Sequence, residues 1–147
     1  MSTTAERTLR IGELSELTGT TPRTIRYYEE IGLLEGGAER ALGKHRNYTQ
    51  ADVDRVKEIL RLRDLLGLSL EQLSQLLEAE DARAGLRREY QESDSPAERV
   101  LILERSLHHI GTQLELVRGR IDELTQLAAD LEDKQKLVKR SIRENSE

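Results

Sequence analysis

A long apolar repeat in the C-terminal third constrains this chain more than any other feature. From residue 100 to residue 142 the apolar positions alternate by three and four residues, which is the a/d register of a coiled coil. Gln135 is the one polar member of this register. We call these positions the seam: Val100, Leu103, Leu107, Ile110, Leu114, Val117, Ile121, Leu124, Ala128, Leu131, Gln135, Val138 and Ile142.

The seam predicts a single long helix that pairs with a second copy of the chain. Ser95, Pro96 and Glu98 form a favourable helix start, and we expect the helix to cover residues 95–143. Such a helix would be roughly 70 Å long and would expose the seam along its whole length. The alternative is a helix that folds back on its own head, which is too small to cover the seam. The dimer contacts are predicted at Leu103, Leu107, Ile110, Leu114, Val117, Ile121, Leu124 and Leu131.

Composition excludes several classes of site. The chain has no Cys, which excludes disulfides, thiolate metal sites and thiol redox sensing. Its N-terminus lacks the apolar stretch of a secretory signal, and no run approaches the roughly 20 apolar residues of a membrane span, so a cytoplasmic protein is expected. The net charge is −5, but the first 67 residues are balanced in charge. A hypothesis of nucleic-acid binding must therefore rest on the positions of individual charged residues and not on the net charge.

The first part of the chain predicts a mainly α-helical head. After a tail at residues 1–8, apolar residues at helical spacing are followed by the turn Thr18-Gly19-Thr20. Thr21 and Pro22 then start a second helix, in which Tyr28 is assigned to the core. Two short helices joined by a Gly-containing turn are typical of a helix-turn-helix.

A β-hairpin wing and two further helices are expected to complete the head. Three glycines break the helical period over residues 35–48, which we interpret as the wing, closed by Tyr48. Thr49 and Ser69 cap the next two helices, so the predicted head covers residues 9–78. The acidic, polar residues 79–94 are predicted to be a linker or a short irregular helix, and residues 144–147 a tail.

Polar side chains at the start of the second helix are candidates for reading DNA. A recognition helix presents such groups near its N-terminus, where Arg can pair with guanine and hydroxyls can hold phosphates. The candidates are Thr21, Arg23, Thr24, Arg26 and Tyr27 on this helix, with Lys44, His45, Arg46 and Tyr48 in the wing. The residues alone leave a solvated helix face with ordinary arginines as an equal alternative.

Four strings in order carry a family resemblance. They are RIGEL at 10–14, TIRYYEEIGLL at 24–34, RNYT at 46–49 and LGLSLE at 66–71. Together they closely resemble the head of the MerR family, the mercury-resistance-type transcription regulators, over roughly residues 9–78. The usual Gly-Tyr before the wing arginine of that family is replaced here by Lys44-His45.

The resemblance implies a winged helix-turn-helix head on an antiparallel dimerisation helix. It implies a homodimer that binds a pseudo-palindromic promoter and bends and untwists it for RNA polymerase. By resemblance, Arg26 and Tyr27 contact DNA from the recognition helix and Arg46 from the wing. Arg61 and Arg63 would brace flanking phosphates from the third helix, although Arg63 could equally pair with Asp64 or Glu71.

Two hypotheses for regulation remain open at the level of sequence. His108 and His109 are adjacent on a helix and do not converge on one ion, so no metal or other cofactor is expected. No appended ligand domain is expected either, because the heptads continue almost to the last residue. A small-molecule effector between the arm and the heads would be lined by Leu76, Leu77, Tyr90, Leu131 and Val138. Otherwise abundance alone sets activity, and Tyr90 is a packing or surface residue.

The rival function classes are an enzyme and an adaptor. There is no Gly-rich phosphate loop, nucleophile elbow or metal-ligand cluster, so an enzyme is not expected. A coiled-coil adaptor that uses its head for protein contact is the remaining alternative to a DNA-binding regulator.

Overall fold

We analysed a computed structural model that describes residues 8–34 and 47–147. The described residues contain five helices: α1 (Ile11–Thr18), α2 (Pro22–Glu30), α3 (Gln50–Leu66), α4 (Leu70–Glu92) and α5 (Pro96–Ser146). This confirms the predicted mainly α-helical fold with a long C-terminal helix. They fall into two compact units, one ending at Leu77 and one from Glu78 to Glu147.

The predicted caps set the helix boundaries. Thr21 Oγ1 accepts from the backbone N–H of Thr24 at 3.2 Å, and Thr49 forms a reciprocal capping box with Asp52. Ser95 caps α5 by accepting from the N–H of Glu98 at 3.3 Å. Each cap satisfies backbone donors that the first helical turn leaves unpaired. At the other end of α3, Gly67 takes the left-handed conformation (φ 60°) that ends the helix.

The core of the first unit lies between α1, α2, α3 and the start of α4. Tyr28 is buried there as predicted, together with the other members of one apolar cluster: Leu9, Leu14, Ile25, Leu33, Leu34, Tyr48, Val53, Val56, Ile59, Leu73 and Leu77. Leu9 and Tyr48 form an isolated antiparallel bridge through backbone hydrogen bonds of 2.7 and 2.8 Å. This bridge joins the segment before α1 to the segment before α3. Residues 35–46 of the predicted wing lie outside the described residues.

Of the two alternatives for residues 79–94, a linker or a short irregular helix, the structure has a helix as far as Glu92, because α4 continues without a break to that residue. Within the second unit, α4 and α5 are joined by polar contacts: Gln113 donates to Glu80 at 3.0 Å, and Arg83 donates to Gln113 at 3.3 Å. Leu86 and Ile102 are buried. These contacts stabilise a polar stretch that has little apolar periodicity of its own.

The short turn between α4 and α5 is held by Arg99. Its Nε donates to the carbonyl of Ser93 at 2.8 Å, and its guanidinium lies 4.6 Å from the centre of the Tyr90 ring. A guanidinium over an aromatic face is attracted by the ring quadrupole. Tyr90 therefore has a packing role in this turn.

Candidate nucleic-acid interface

The start of α2 combines a capped helix end with exposed cationic side chains. The hydroxyls of Thr21 and Thr24 are joined by a hydrogen bond of 3.1 Å. Both hydroxyl oxygens therefore have hydrogen-bond partners at the N-terminus of α2. Pro22 occupies the first helical position, where a missing N–H costs nothing. The positive end of the helix dipole lies here, which favours an approaching phosphate.

An open groove of about 540 Å³ follows the same face of α2, and it is lined by Arg23, Thr24, Arg26, Tyr27 and Glu30. Within the described residues, neither Arg23 nor Arg26 makes an ion pair. Tyr27 is 47% exposed, and its ring lies 6.3 Å from that of buried Tyr28. The groove thus presents two guanidinium groups and a phenol to a partner.

Buried contacts beneath this face hold α2 in place. Glu29 is only 5% exposed, and its carboxylate accepts a hydrogen bond from the hydroxyl of Tyr48. Arg55 Nε donates to the carbonyl of Leu33 at 3.0 Å, just after α2. Sequence reasoning missed Glu29 and Arg55, because charged residues in a helix usually face solvent and only the tertiary fold pairs them here.

The predicted DNA contact from Tyr48 is wrong, since the side chain is fully buried. Its position next to a basic motif suggested a surface role. In the structure the ring fills the core of the head, and its hydroxyl is hydrogen-bonded to Glu29. The other wing candidates, Lys44, His45 and Arg46, lie outside the described residues.

The two arginines of α3 are exposed but engaged by neighbouring carboxylates. Arg61 donates to both oxygens of Glu58, at 3.0 and 2.8 Å, and this hydrogen bonding holds the pKa of the Glu58 carboxyl below its usual range. Arg63 bonds Asp64 at 3.1 Å and the hydroxyl of Tyr28 at 3.3 Å. The Asp64 contact raises the pKa of Arg63. Glu58 was missed from sequence, although its spacing of three residues from Arg61 is a visible signal.

The seam of α5 is largely exposed, as a partner surface requires. Its exposed members include Leu103, Leu107, Leu114, Ile121, Leu124 and Leu131, while Ile110 and Val117 are half-buried. From Ile121 to the end of α5 every residue is exposed.

The effector pocket expected from the sequence lies between two subunits, and within one chain its named residues have different surroundings. Leu77 packs in the core of the head, and Leu76 is buried as well, because the first turns of α4 serve as a core helix. Tyr90 is half-buried with Arg99 over one face of its ring, whereas Leu131 and Val138 are exposed on α5. The described residues hold no cluster of ligands suited to a metal ion, and none of their helices has the length and apolar character needed to cross a bilayer.

Comparison with known proteins decides the family. The model of the MerR HTH family regulatory protein matches residues 9–80. The HTH-type transcriptional regulator YfmP of Bacillus subtilis is 31% identical over 77% of this chain and 80% of its own length. This chain belongs to the MerR family. Regulators of this family bind promoter DNA.

Other relatives extend beyond this chain. The HTH-type transcriptional regulator HmrR of Rhizobium leguminosarum bv. viciae is 34% identical, over 84% of this chain and 81% of the relative. The nodulation protein NolA of Bradyrhizobium elkanii is 37% identical over 84% of this chain, but the match covers 55% of NolA, so the chain spans about half of that relative. No solved structure matches the chain.

Proposed function

We propose that this MerR-family chain binds a pseudo-palindromic promoter operator as a homodimer. The observation that carries the proposal is the open groove on α2, where Arg23 and Arg26 make no ion pair within the described residues. Two guanidiniums that form no ion pair with any described residue, beside a helix N-terminus, suit both base edges and phosphates. Arg26 and Tyr27 are the proposed contacts from this helix, with Arg23 beside them.

The homodimer is supported by the exposed seam of α5. At 51 residues this helix is about 76 Å long, and most of its seam is exposed to solvent. An exposed apolar stripe of that length is covered at low cost by an antiparallel coiled coil with a second copy. Two heads carried on one paired arm match the two-fold symmetry of a palindromic operator.

We further propose that the dimer bends and untwists its operator so that RNA polymerase can engage the promoter. Bending a site of this size costs on the order of 1–6 kcal/mol, which phosphate contacts from two heads must offset. Arg61, Arg63 and the wing residues Lys44, His45 and Arg46 are the proposed sources of those contacts. DNA affinity should therefore fall steeply with salt.

A gel shift on promoter DNA, including the chain's own upstream region, tests DNA binding at the groove. Arg26→Ala should weaken specific binding by about 1–3 kcal/mol, because one base or phosphate contact is lost in each head. Arg140→Ala on α5 is the matched control and should leave binding within twofold. Equal affinities for Arg26→Ala and the unchanged chain would contradict the proposed interface. Footprinting and circular-permutation bending assays on the bound fragment then test the operator and its distortion.

A further inference from the structure

The second unit has a cavity next to the seam, between α4 and α5. A cavity of about 170 Å³ opens there, and its apolar lining includes Leu86, Tyr90, Ile102 and Leu103. Arg87, Gln91 and Ser106 complete the wall of this open cavity. Its volume is close to the roughly 150 Å³ that holds a benzene-sized group in a closed apolar cavity. Leu103 is itself a seam residue and is 50% exposed, so whatever covers the seam also covers this cavity.

The part of α5 that packs on α4 indicates whether two α5 helices pair parallel or antiparallel. Gln113 on α5 contacts α4 and half-buried residues continue to Arg120, whereas every residue from Ile121 onward is exposed. Antiparallel pairing lays the uncovered half of one α5 along the half of the other that carries the cavity. Parallel pairing would set Lys134 beside the partner's Lys139, a like-charge contact between flanking positions.

Two antiparallel registers cover all but one of the seam positions. In the first, Leu103 faces Gln135 of the partner subunit; in the second, which is shifted by one heptad, it faces Ile142 of the partner subunit. The first register would set a polar amide over the apolar cavity. The second sets a branched aliphatic side chain there, which suits the lining.

Charges beside the seam favour the same register. In the first register Arg118 and Arg120 each face their own copies across the two-fold axis, and Glu104 faces the partner's Glu132. In the second register none of these contacts forms, and Glu104 faces the partner's Lys139 instead. Like charges in direct opposition are destabilising, and opposite charges at such positions set register and orientation.

We propose that a second copy of this chain pairs antiparallel along α5 in the register that places Ile142 of the partner subunit in the cavity beside Leu103 and Tyr90, with Glu104 bonded to the partner's Lys139. This inference rests on the homodimer of the proposed function and specifies its geometry. The C-terminal end of one arm then contacts the α4–α5 hairpin of the other subunit.

Engineered cysteines test the register directly, because the chain has none of its own. On a helix the Cα atoms of residues 103 and 142 are about 58 Å apart, so a disulfide between these positions can form only between chains. Mild oxidation of Leu103→Cys/Ile142→Cys should give a covalent dimer. The matched variant Leu103→Cys/Gln135→Cys reports the competing register, and Leu103→Cys alone reports parallel pairing. Both should stay uncrosslinked, since disulfides need Cα atoms within roughly 7 Å.

Charge reversal gives a second measurement that does not depend on a disulfide. Glu104→Lys and Lys139→Glu should each raise the dimer dissociation constant several-fold, and the double reversal should restore it. Glu115→Lys changes the net charge by the same amount away from the seam and should have little effect. Ile142→Ala should weaken the dimer at least tenfold, whereas Leu137→Ala, outside the seam, should not.

Sedimentation of the unchanged chain separates this inference from the function on which it rests. A dimer that crosslinks through Leu103→Cys/Gln135→Cys, or through Leu103→Cys alone, overturns the register and leaves the homodimer standing. A dimer that the charge reversals do not affect also overturns the register. A chain that stays monomeric at all concentrations and on operator DNA overturns both.

Discussion

At the scale of single residues, the contact between Glu29 and Tyr48 links α2 to the segment just before α3. Both side chains are buried, and the Tyr48 hydroxyl is a donor to the Glu29 carboxylate. A buried carboxylate depends strongly on such donors, because it has lost its water. The sequence places Tyr48 beside a basic motif, but only the tertiary fold shows that its ring is internal.

Tyr48→Phe should lower the free energy of unfolding by about 1–3 kcal/mol, because the Glu29 carboxylate loses a buried hydrogen-bond donor. Urea denaturation followed by circular dichroism measures this loss. DNA affinity of the folded variant should stay unchanged. Tyr27→Phe is the matched control, with unchanged stability and weaker DNA binding. A stable Tyr48→Phe variant that has lost DNA binding would restore Tyr48 as a DNA contact.

The pair formed by Glu58 and Arg61 on α3 restrains one of the proposed phosphate contacts. Glu58→Gln should strengthen DNA binding several-fold, because it removes a negative charge and frees the Arg61 guanidinium. A gel shift over a range of salt concentrations measures the change, with Glu115→Gln on α5 as the control. Unchanged affinity would mean that this face of α3 does not lie near phosphates.

The same pair makes a small pH-dependent contribution to stability. The folded-state pKa of Glu58 is lowered, chiefly by its hydrogen bond with Arg61. The contribution is therefore present above the unfolded-state pKa and is lost as the pH falls through the folded-state pKa. Because both side chains are largely exposed, solvent screens the pair and the effect should be small.

At the scale of elements, local signals predicted the helix starts and missed the length of α4. Thr21, Thr49 and Ser95 cap their helices as expected, because a cap depends on residues within one turn. The second half of α4 is stabilised by contacts with α5 some thirty residues away, such as the bond from Gln113 to Glu80. No local pattern records those contacts, so the acidic, polar run by itself indicates only a linker or a short irregular helix.

Arg99→Ala should destabilise the α4–α5 hairpin by about 1–2 kcal/mol, since both the bond to Ser93 and the contact with the Tyr90 ring are lost. Thermal unfolding of the full chain measures this effect. Arg88→Ala, an exposed arginine on the same hairpin, should change stability little. A larger effect from Arg88→Ala than from Arg99→Ala would contradict the role assigned to Arg99.

At the scale of the whole molecule, the seam was the most predictive feature of the sequence. A regular heptad repeat specifies a helix and an apolar face without reference to any other part of the chain. The site on the head was predictable in part: Arg23, Arg26 and Tyr27 are exposed on one groove, whereas Tyr48 is internal. Which carboxylates engage Arg61 and Arg63 became clear only from side-chain geometry.

Leu124→Arg should convert the proposed dimer to a monomer and remove operator binding, because it places a charge within the seam. Leu137→Arg adds the same charge to an exposed position outside the seam and should leave both properties unchanged. Sedimentation and gel shift on the same samples measure the two outcomes together. Operator binding by a monomeric Leu124→Arg variant would show that one head suffices.

The exposed seam also sets how the target promoter responds to the dose of this regulator. In the proposed dimer the seam of each arm is covered only by a second copy. While most of the chain is monomeric, the concentration of dimer, which is the form that binds DNA, therefore rises with the square of the total concentration. Promoter occupancy would then rise steeply over a narrow range of expression. A modest change in the rate of synthesis or degradation could switch the promoter, with no ligand needed.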